Sequence, residues 1–290
     1  MNKFLMYVHW IDAKVLPETL TSIQNALEYS TVDTEIVLFL NEQTFVDQPL
    51  EGSPADMWKY FMDHPLIPKC KIIKVTNEDK FWGVSNFRRD FLNPDGLTYW
   101  GESDCMVPLE CFYIAETIQA QKPTPFVLSF AIRKMWPGWE MIEHTKVQNR
   151  GLGEFAGNDF WHCSGPIDLQ TLYKFNEEQG DPIIVKLERP RIEGALTILS
   201  NNLPNPLIAP SLDFFHEDYC LELAMPYYGI PQYHVSNILK GHNNGSPLKR
   251  ANIFNFGDRE KNPLAAEKKA TCHRDMIQFI QDLYIGKFKV

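Results

Sequence analysis

The chain has 290 residues, of which 44% are hydrophobic and 22% charged, an ordinary globular composition and enough length to bury a core without disulfide staples. Its 37 acidic against 28 basic residues leave a formal net charge of −9, which argues against a general nucleic-acid coat. No stretch approaches the roughly 18 apolar residues of a membrane helix, and Met1 to His9 turns polar too soon for a signal peptide, so the expectation is a cytoplasmic protein. Cys70, Cys105, Cys111, Cys163, Cys220 and Cys272 are scattered without a C-x-x-C pair, which points to buried thiols rather than a zinc knuckle or a disulfide framework.

In chain order, Phe4 to Trp10 is an apolar run suited to a buried strand. Pro17 at the first helical turn is followed by Leu20, Ile23 and Leu27 at helical spacing. Glu35 to Leu40 is a second buried strand, Trp58 to Met62 a helix, and Lys71 to Val75 a third strand. Ser85 to Asn93 forms a short helix carrying Arg88 and Arg89, and the strand Leu97 to Trp100 runs straight into Glu102-Ser103-Asp104. Pro108 opens a helix with Leu109, Phe112 and Ile118 on one face. Such alternation implies an α/β fold, a mostly parallel sheet flanked by helices.

Past Phe126 the pattern loosens. Phe126 to Ile132 is a strand, residues 133–158 have the composition of an active-site loop, and Leu169 to Phe175 is a short helix. Prolines at 182, 190, 204, 206 and 210 mark an irregular insertion. The segment 246–290 carries nine basic residues against five acidic, the pattern of a solvated helix face or of a contact to a phosphate-bearing ligand.

In sheets of this kind ligands bind at the carboxyl ends of the strands. His9, Asp12, Asn41, Asn77, Glu102 and Asp104 all fall at or just past such ends. In an extended chain Glu102 and Asp104, two apart, share a side and can hold one divalent cation. Alone, such a pair is more often a solvated loop at a strand end. Glu217-Asp218, between aromatic residues and ahead of an apolar helix, can cap that helix or supply a general base. His242 lies in Gly241-His242-Asn243-Asn244-Gly245-Ser246, whose Gly/Asn content predicts a mobile, accessible turn where a ligand role and a structural one both stand.

At Glu102-Ser103-Asp104 the chain resembles the D-x-D signature of GT-A glycosyltransferases, with Glu in the first position. Gly83 to Asp90 is similar to the glycine and R-N helix that precedes this signature in family 2. Glu217-Asp218 with Gly229 resembles the E-D helix and the glycine after it, and His242 with Ser246 resembles the closing H-x-x-x-S segment. Two departures stand out: Asn41-Glu42 replaces the acidic turn after the second strand, and Glu222 stands where the E-D helix often has Arg.

The resemblance implies a GT-A (Rossmann-like) fold with an irregular C-terminal acceptor-side extension. It divides one domain into a nucleotide-sugar half (1–125), an acceptor and catalytic half (126–250) and a basic helical extension (251–290). It implies a metal-dependent transferase of sugar from a nucleotide diphosphate, UDP first among them. Asp104, Glu102 and His242 would hold Mn²⁺ or Mg²⁺, and Asp218, beside Glu217, would act as base. His9, Asp12, Asn41, Trp82, Gly83, Arg88, Arg89, Glu102 and Ser103 would face the donor. Trp136, Trp139, Trp161 and His162 would face an acceptor that is a glycan, a small molecule or a hydroxylated DNA base. A nucleotidyltransferase would carry a Gly-rich basic loop after the first strand, and Val8 to Ala13 is nothing like one. A binding module on the same fold without chemistry is the other alternative.

Overall fold

The structure, a computed structural model, describes residues 1–42, 53–76, 83–122, 125–136, 160–164, 168–192, 194–213, 216–243 and 263–288, with the backbone alone over 133–136, 160–164 and 263–266. Among these residues one sheet runs in the order β3-β2-β1-β4-β9-β6-β10-β5, with β7 beside β6 and β8 beside β10. The strands are β1 (Asn2–His9), β2 (Thr34–Asn41), β3 (Cys70–Val75), β4 (Thr98–Glu102), β5 (Cys105–Met106), β6 (Val127–Trp136), β7 (Phe160–Ser164), β8 (Ile184–Lys186), β9 (Leu196–Leu199) and β10 (Gln232–Asn243). The helices are α1 (Leu16–Leu27), α2 (Pro54–Trp58), α3 (Val84–Asp90), α4 (Cys111–Gln121), α5 (Leu169–Glu178), α6 (Glu217–Tyr228) and α7 (Pro263–Tyr284). The result is a mixed α/β fold with a large, mostly parallel sheet flanked by helices.

The strands β1 and β2 are apolar almost throughout because both faces of the sheet are covered. Phe4, Met6 and Val8 pack with Leu20 and Ile23 of α1 and Phe112 of α4 on one face, while Leu5, Val37 and Phe39 pack with Phe87 of α3, Leu221 of α6 and Met276 of α7 on the other. From β1 the chain moves outward through β2 and β3, then returns to pair β4 with the other side of β1, both in parallel. That reversal opens a crevice between the carboxyl ends of β1 and β4.

Four expectations need correction. Residues 182–210 are not an irregular insertion throughout: they hold β8 and the fully buried β9, which runs antiparallel to both β4 and β6 in the middle of the sheet. The run Leu196-Thr197-Ile198-Leu199 is short enough to hide between prolines, yet it is apolar and β-branched as a central strand requires. Residues 133–136 are not a loop, since they continue β6 in register with β7 and β10. The helix expected at Trp58–Met62 lies earlier, at Pro54–Trp58, where Ser53 caps it by accepting the Asp56 amide at 3.2 Å, and residues 59–62 are a turn. His242 is not in a mobile turn but in β10, held by β6 on one side and β5 on the other.

Strand β10 carries an irregularity between Val235 and Leu239. The backbone freed there is taken up by Asn176 of α5, which donates to the Leu239 carbonyl at 2.9 Å and accepts the Leu239 amide at 2.8 Å. Helix α6 ends at Gly229, whose φ of 66° is the left-handed turn that glycine takes without strain. No helix among the described residues is long and apolar enough to cross a membrane. Cys70, Cys105, Cys111, Cys220 and Cys272 are free thiols, all but Cys70 fully buried.

Candidate metal and donor site

Strand β4 ends on Glu102, and the chain turns through Ser103 and Asp104 into β5. Because Cys105 of β5 pairs with His242 of β10, the imidazole is carried beside the Asp104 carboxylate. His242 Nε2 lies 2.9 Å from Asp104 Oδ2, and the Asp104 carbonyl accepts the Asn243 amide at 2.7 Å. Glu102, Asp104 and His242 each bring a ligand atom within 4.8 Å of the others. Two ligands on opposite sides of a Mg²⁺-sized ion stand ~4.2 Å apart, a span of the same size as the 4.8 Å within which these atoms lie. Two hard carboxylates and an imidazole suit Mn²⁺ or Mg²⁺, so the residues present fit such an ion.

On the β1 side, Asp12 follows the strand in a 3-10 turn and accepts the Ser103 hydroxyl at 3.3 Å. The Ser103 amide donates to the Tyr7 carbonyl at 3.1 Å. These bonds tie the end of β1 to the β4–β5 turn and hold Asp104, which is 1% exposed, in place.

Behind Glu102 stands Arg88. The guanidinium is 1% exposed, and Nη1 donates to Glu217 Oε1 at 2.6 Å. Nη2 donates to the Gly194 carbonyl at 2.6 Å and stands 3.7 Å from Glu102 Oε1. The second Glu217 oxygen accepts the Ser85 hydroxyl at 3.1 Å. Burial raises the Glu217 carboxyl above its usual range, with Arg88 pulling the other way. Arg88 thus links three separate chain segments.

Among the other residues picked from the sequence, Arg88 and Arg89, expected at the donor phosphate, direct their donors into the protein. Arg89 serves the Pro210 and Leu212 carbonyls at 2.7 and 3.0 Å and Asp90 at 2.8 Å. Asn41 is fully buried, and its amide donates to the Tyr7 hydroxyl at 2.7 Å. Glu42, at the position of the departed acidic turn, accepts Trp58 Nε1 at 2.8 Å. His9 caps the 3-10 turn by accepting the Ile11 amide at 3.3 Å. Gly83 starts α3 and donates to Asn86 Oδ1 at 3.0 Å.

Glu217 and Asp218 open α6, but not as its cap: the cap position is His216, in a left-handed conformation with no side-chain hydrogen bond to the helix. Asp218 is half-buried, accepts the Tyr219 amide at 2.7 Å and lies outside the Glu102–Asp104–His242 cluster. Glu222, the other departure, accepts the Ile192 amide at 3.0 Å. Trp136 ends β6, and Trp161 and His162 lie in β7 opposite Arg133 and Lys134. Asn77, Trp82, Trp139 and Ser246 lie outside the described residues.

Sequence reasoning missed Gly194 and Ala195, whose carbonyls accept from Arg88 and from the Glu102 amide. The one available signal was a glycine directly ahead of a β-branched apolar run.

No family model matches the chain, and no curated protein matches it. Solved structures do show likeness. One is S. aureus TarS 1-349, with a TM-score of 0.48 and 12% identity over 92% of this chain and 68% of that one. The same fragment in complex with UDP-GlcNAc gives 0.46 and 11% over 84% and 58%. The mannosyltransferase PcManGT from Pyrobaculum calidifontis, in complex with GDP-Man and Mn2+, gives 0.43 and 11% over 99% and 81%.

Proposed function

We propose that the chain is a divalent-metal-dependent glycosyltransferase that moves a sugar from a nucleotide diphosphate to an acceptor hydroxyl, with inversion. The observation that carries this is the meeting of Glu102, Asp104 and His242 within 4.8 Å at the strand-end crevice. The three come from two segments about 140 residues apart in chain position, and their donor chemistry is that of an oxygen-preferring metal.

A bound Mn²⁺ or Mg²⁺ supplies neutralisation of the charge that builds on a departing nucleotide diphosphate. Asp104, buried and fixed by the β5–β10 pairing, is the anchoring ligand. Glu102 is braced from behind by Arg88, and His242 completes the set. Asp218, on the first turn of α6, takes the proton of the acceptor hydroxyl as its oxygen attacks the anomeric carbon. Glu217 keeps that turn in place through Arg88. Strands β6 and β7, which carry Trp136, Trp161 and His162, form the acceptor side, for which a glycan or a small molecule is the favoured occupant.

The test is a donor screen, UDP-sugars first, for Mn²⁺-dependent hydrolysis and transfer read by mass spectrometry. Asp104→Ala should abolish metal-dependent donor binding. Asp218→Asn should keep donor binding and stop transfer. Equal loss of donor binding in both would sink the assignment of the base, and binding without turnover in the wild type would sink the enzyme.

A further inference from the structure

Gly194, just ahead of β9, is stitched to the candidate metal site. Its carbonyl accepts Arg88 Nη2 at 2.6 Å, and the next carbonyl, of Ala195, accepts the Glu102 amide at 3.1 Å. A Cβ added at Gly194 would meet Glu102 Oε1 at 2.8 Å and Arg88 Nη1 at 3.1 Å. Its backbone is not among the positive-φ glycines. Conformation therefore does not call for glycine here; space does.

What would yield can be read from the burial. Arg88 is 1% exposed and locked to Glu217, and the Gly194 backbone is held by its own hydrogen bond. The Glu102 side chain is 34% exposed and ends in a rotatable carboxylate. The shift falls on Glu102, one of the three groups of the cluster.

We propose that Gly194 is a positioning residue: the side chain it lacks leaves the place that the Glu102 carboxylate occupies beside Arg88, within reach of Asp104 and His242. This rests on the reading of that cluster as metal ligands. The experiment titrates Mn²⁺ alone, by calorimetry or electron paramagnetic resonance, into wild type, Gly194→Ala, Glu102→Ala and the double variant. Thermal unfolding without metal runs in parallel.

Gly194→Ala should weaken Mn²⁺ binding on the order of 10-fold, as the loss of an outer support does. It should cost nothing further in the Glu102→Ala background, and its metal-free loss in Tm should shrink there as well. Unchanged Mn²⁺ affinity, or the same loss in both backgrounds, overturns the proposal. If Gly194→Ala folds only together with Glu102→Ala, crowding of that carboxylate is the cause. If neither folds, position 194 serves chain packing and the proposal fails. A wild type that binds no Mn²⁺ overturns the metal reading instead, and the metal-free unfolding cycle still decides whether position 194 acts on Glu102.

Discussion

Arg88 is among the largest fully buried side chains of the described residues, and a guanidinium is tolerated there because Nη1 and Nη2 meet Glu217, the Gly194 carbonyl and Glu102, with the Trp100 ring 5.2 Å away. A buried charge that loses its partner costs far more than the pair contributes. Glu217→Ala should therefore destabilise the fold by about 3–5 kcal/mol, read as a lower urea midpoint at unchanged slope. Replacing Arg88 and Glu217 together by Met and Leu should recover most of that stability and still weaken Mn²⁺ binding, because Glu102 has lost its brace. Full metal affinity in the paired variant would show that Arg88 does not support the site. This pairing was not legible in the sequence: its members stand 129 residues apart, and nothing local distinguishes an arginine aimed inward from one aimed at a phosphate. Glu102 and Asp104 were legible, because an acidic pair directly after an apolar run can only sit at a strand end.

Helix α7 lies along α6, with Cys272, Met276, Phe279 and Leu283 in the same core as Leu221, Ala224 and Met225. At the start of α6 the docking turns polar: Lys268 pairs with Asp213 at 3.3 Å, Cys272 donates to the same carboxylate at 3.2 Å, and His273 meets the His216 ring edge-on at 5.3 Å. Burial, then His273 and Lys269, lower the His216 pKa from 6.5, with Asp218 pulling it up. The unfolded chain thus takes the proton first. Stability from the neutral imidazole is complete above about pH 6.5 and is lost as the pH falls through the depressed value. Tm should drop between pH 7 and 5, and less steeply in His216→Asn, which tolerates the left-handed backbone. Equal slopes would remove His216 from the account. The elements themselves were unevenly legible. The parallel strands β1 to β4 announce themselves as apolar runs, whereas β10 ends in Gly-His-Asn, a turn-like composition that only pairing with β5 and β6 keeps extended.

At the scale of the molecule, a metal that binds the native state alone must raise its stability, by about 2.7 kcal/mol at a hundred times the dissociation constant. Mn²⁺ should therefore raise Tm in the wild type, and the rise should vanish in His242→Ala and Asp104→Ala. A rise that survives both substitutions would locate the ion elsewhere. The sheet order explains why two halves of the chain must be intact for this response: Glu102 and Asp104 arrive with the first four strands, His242 with the last. Strand β9 runs against its neighbours β4 and β6, so the chain enters it at the edge of the sheet where those two strands leave. Lengthening the segment ahead of β9 would therefore remodel the mouth of the crevice, while the same insertion after Leu199 would fall on the far rim, away from Glu102, Asp104 and His242. Under the proposed reading, variants with altered metal or donor binding are to be sought around Gly194, which borders Glu102 and Arg88.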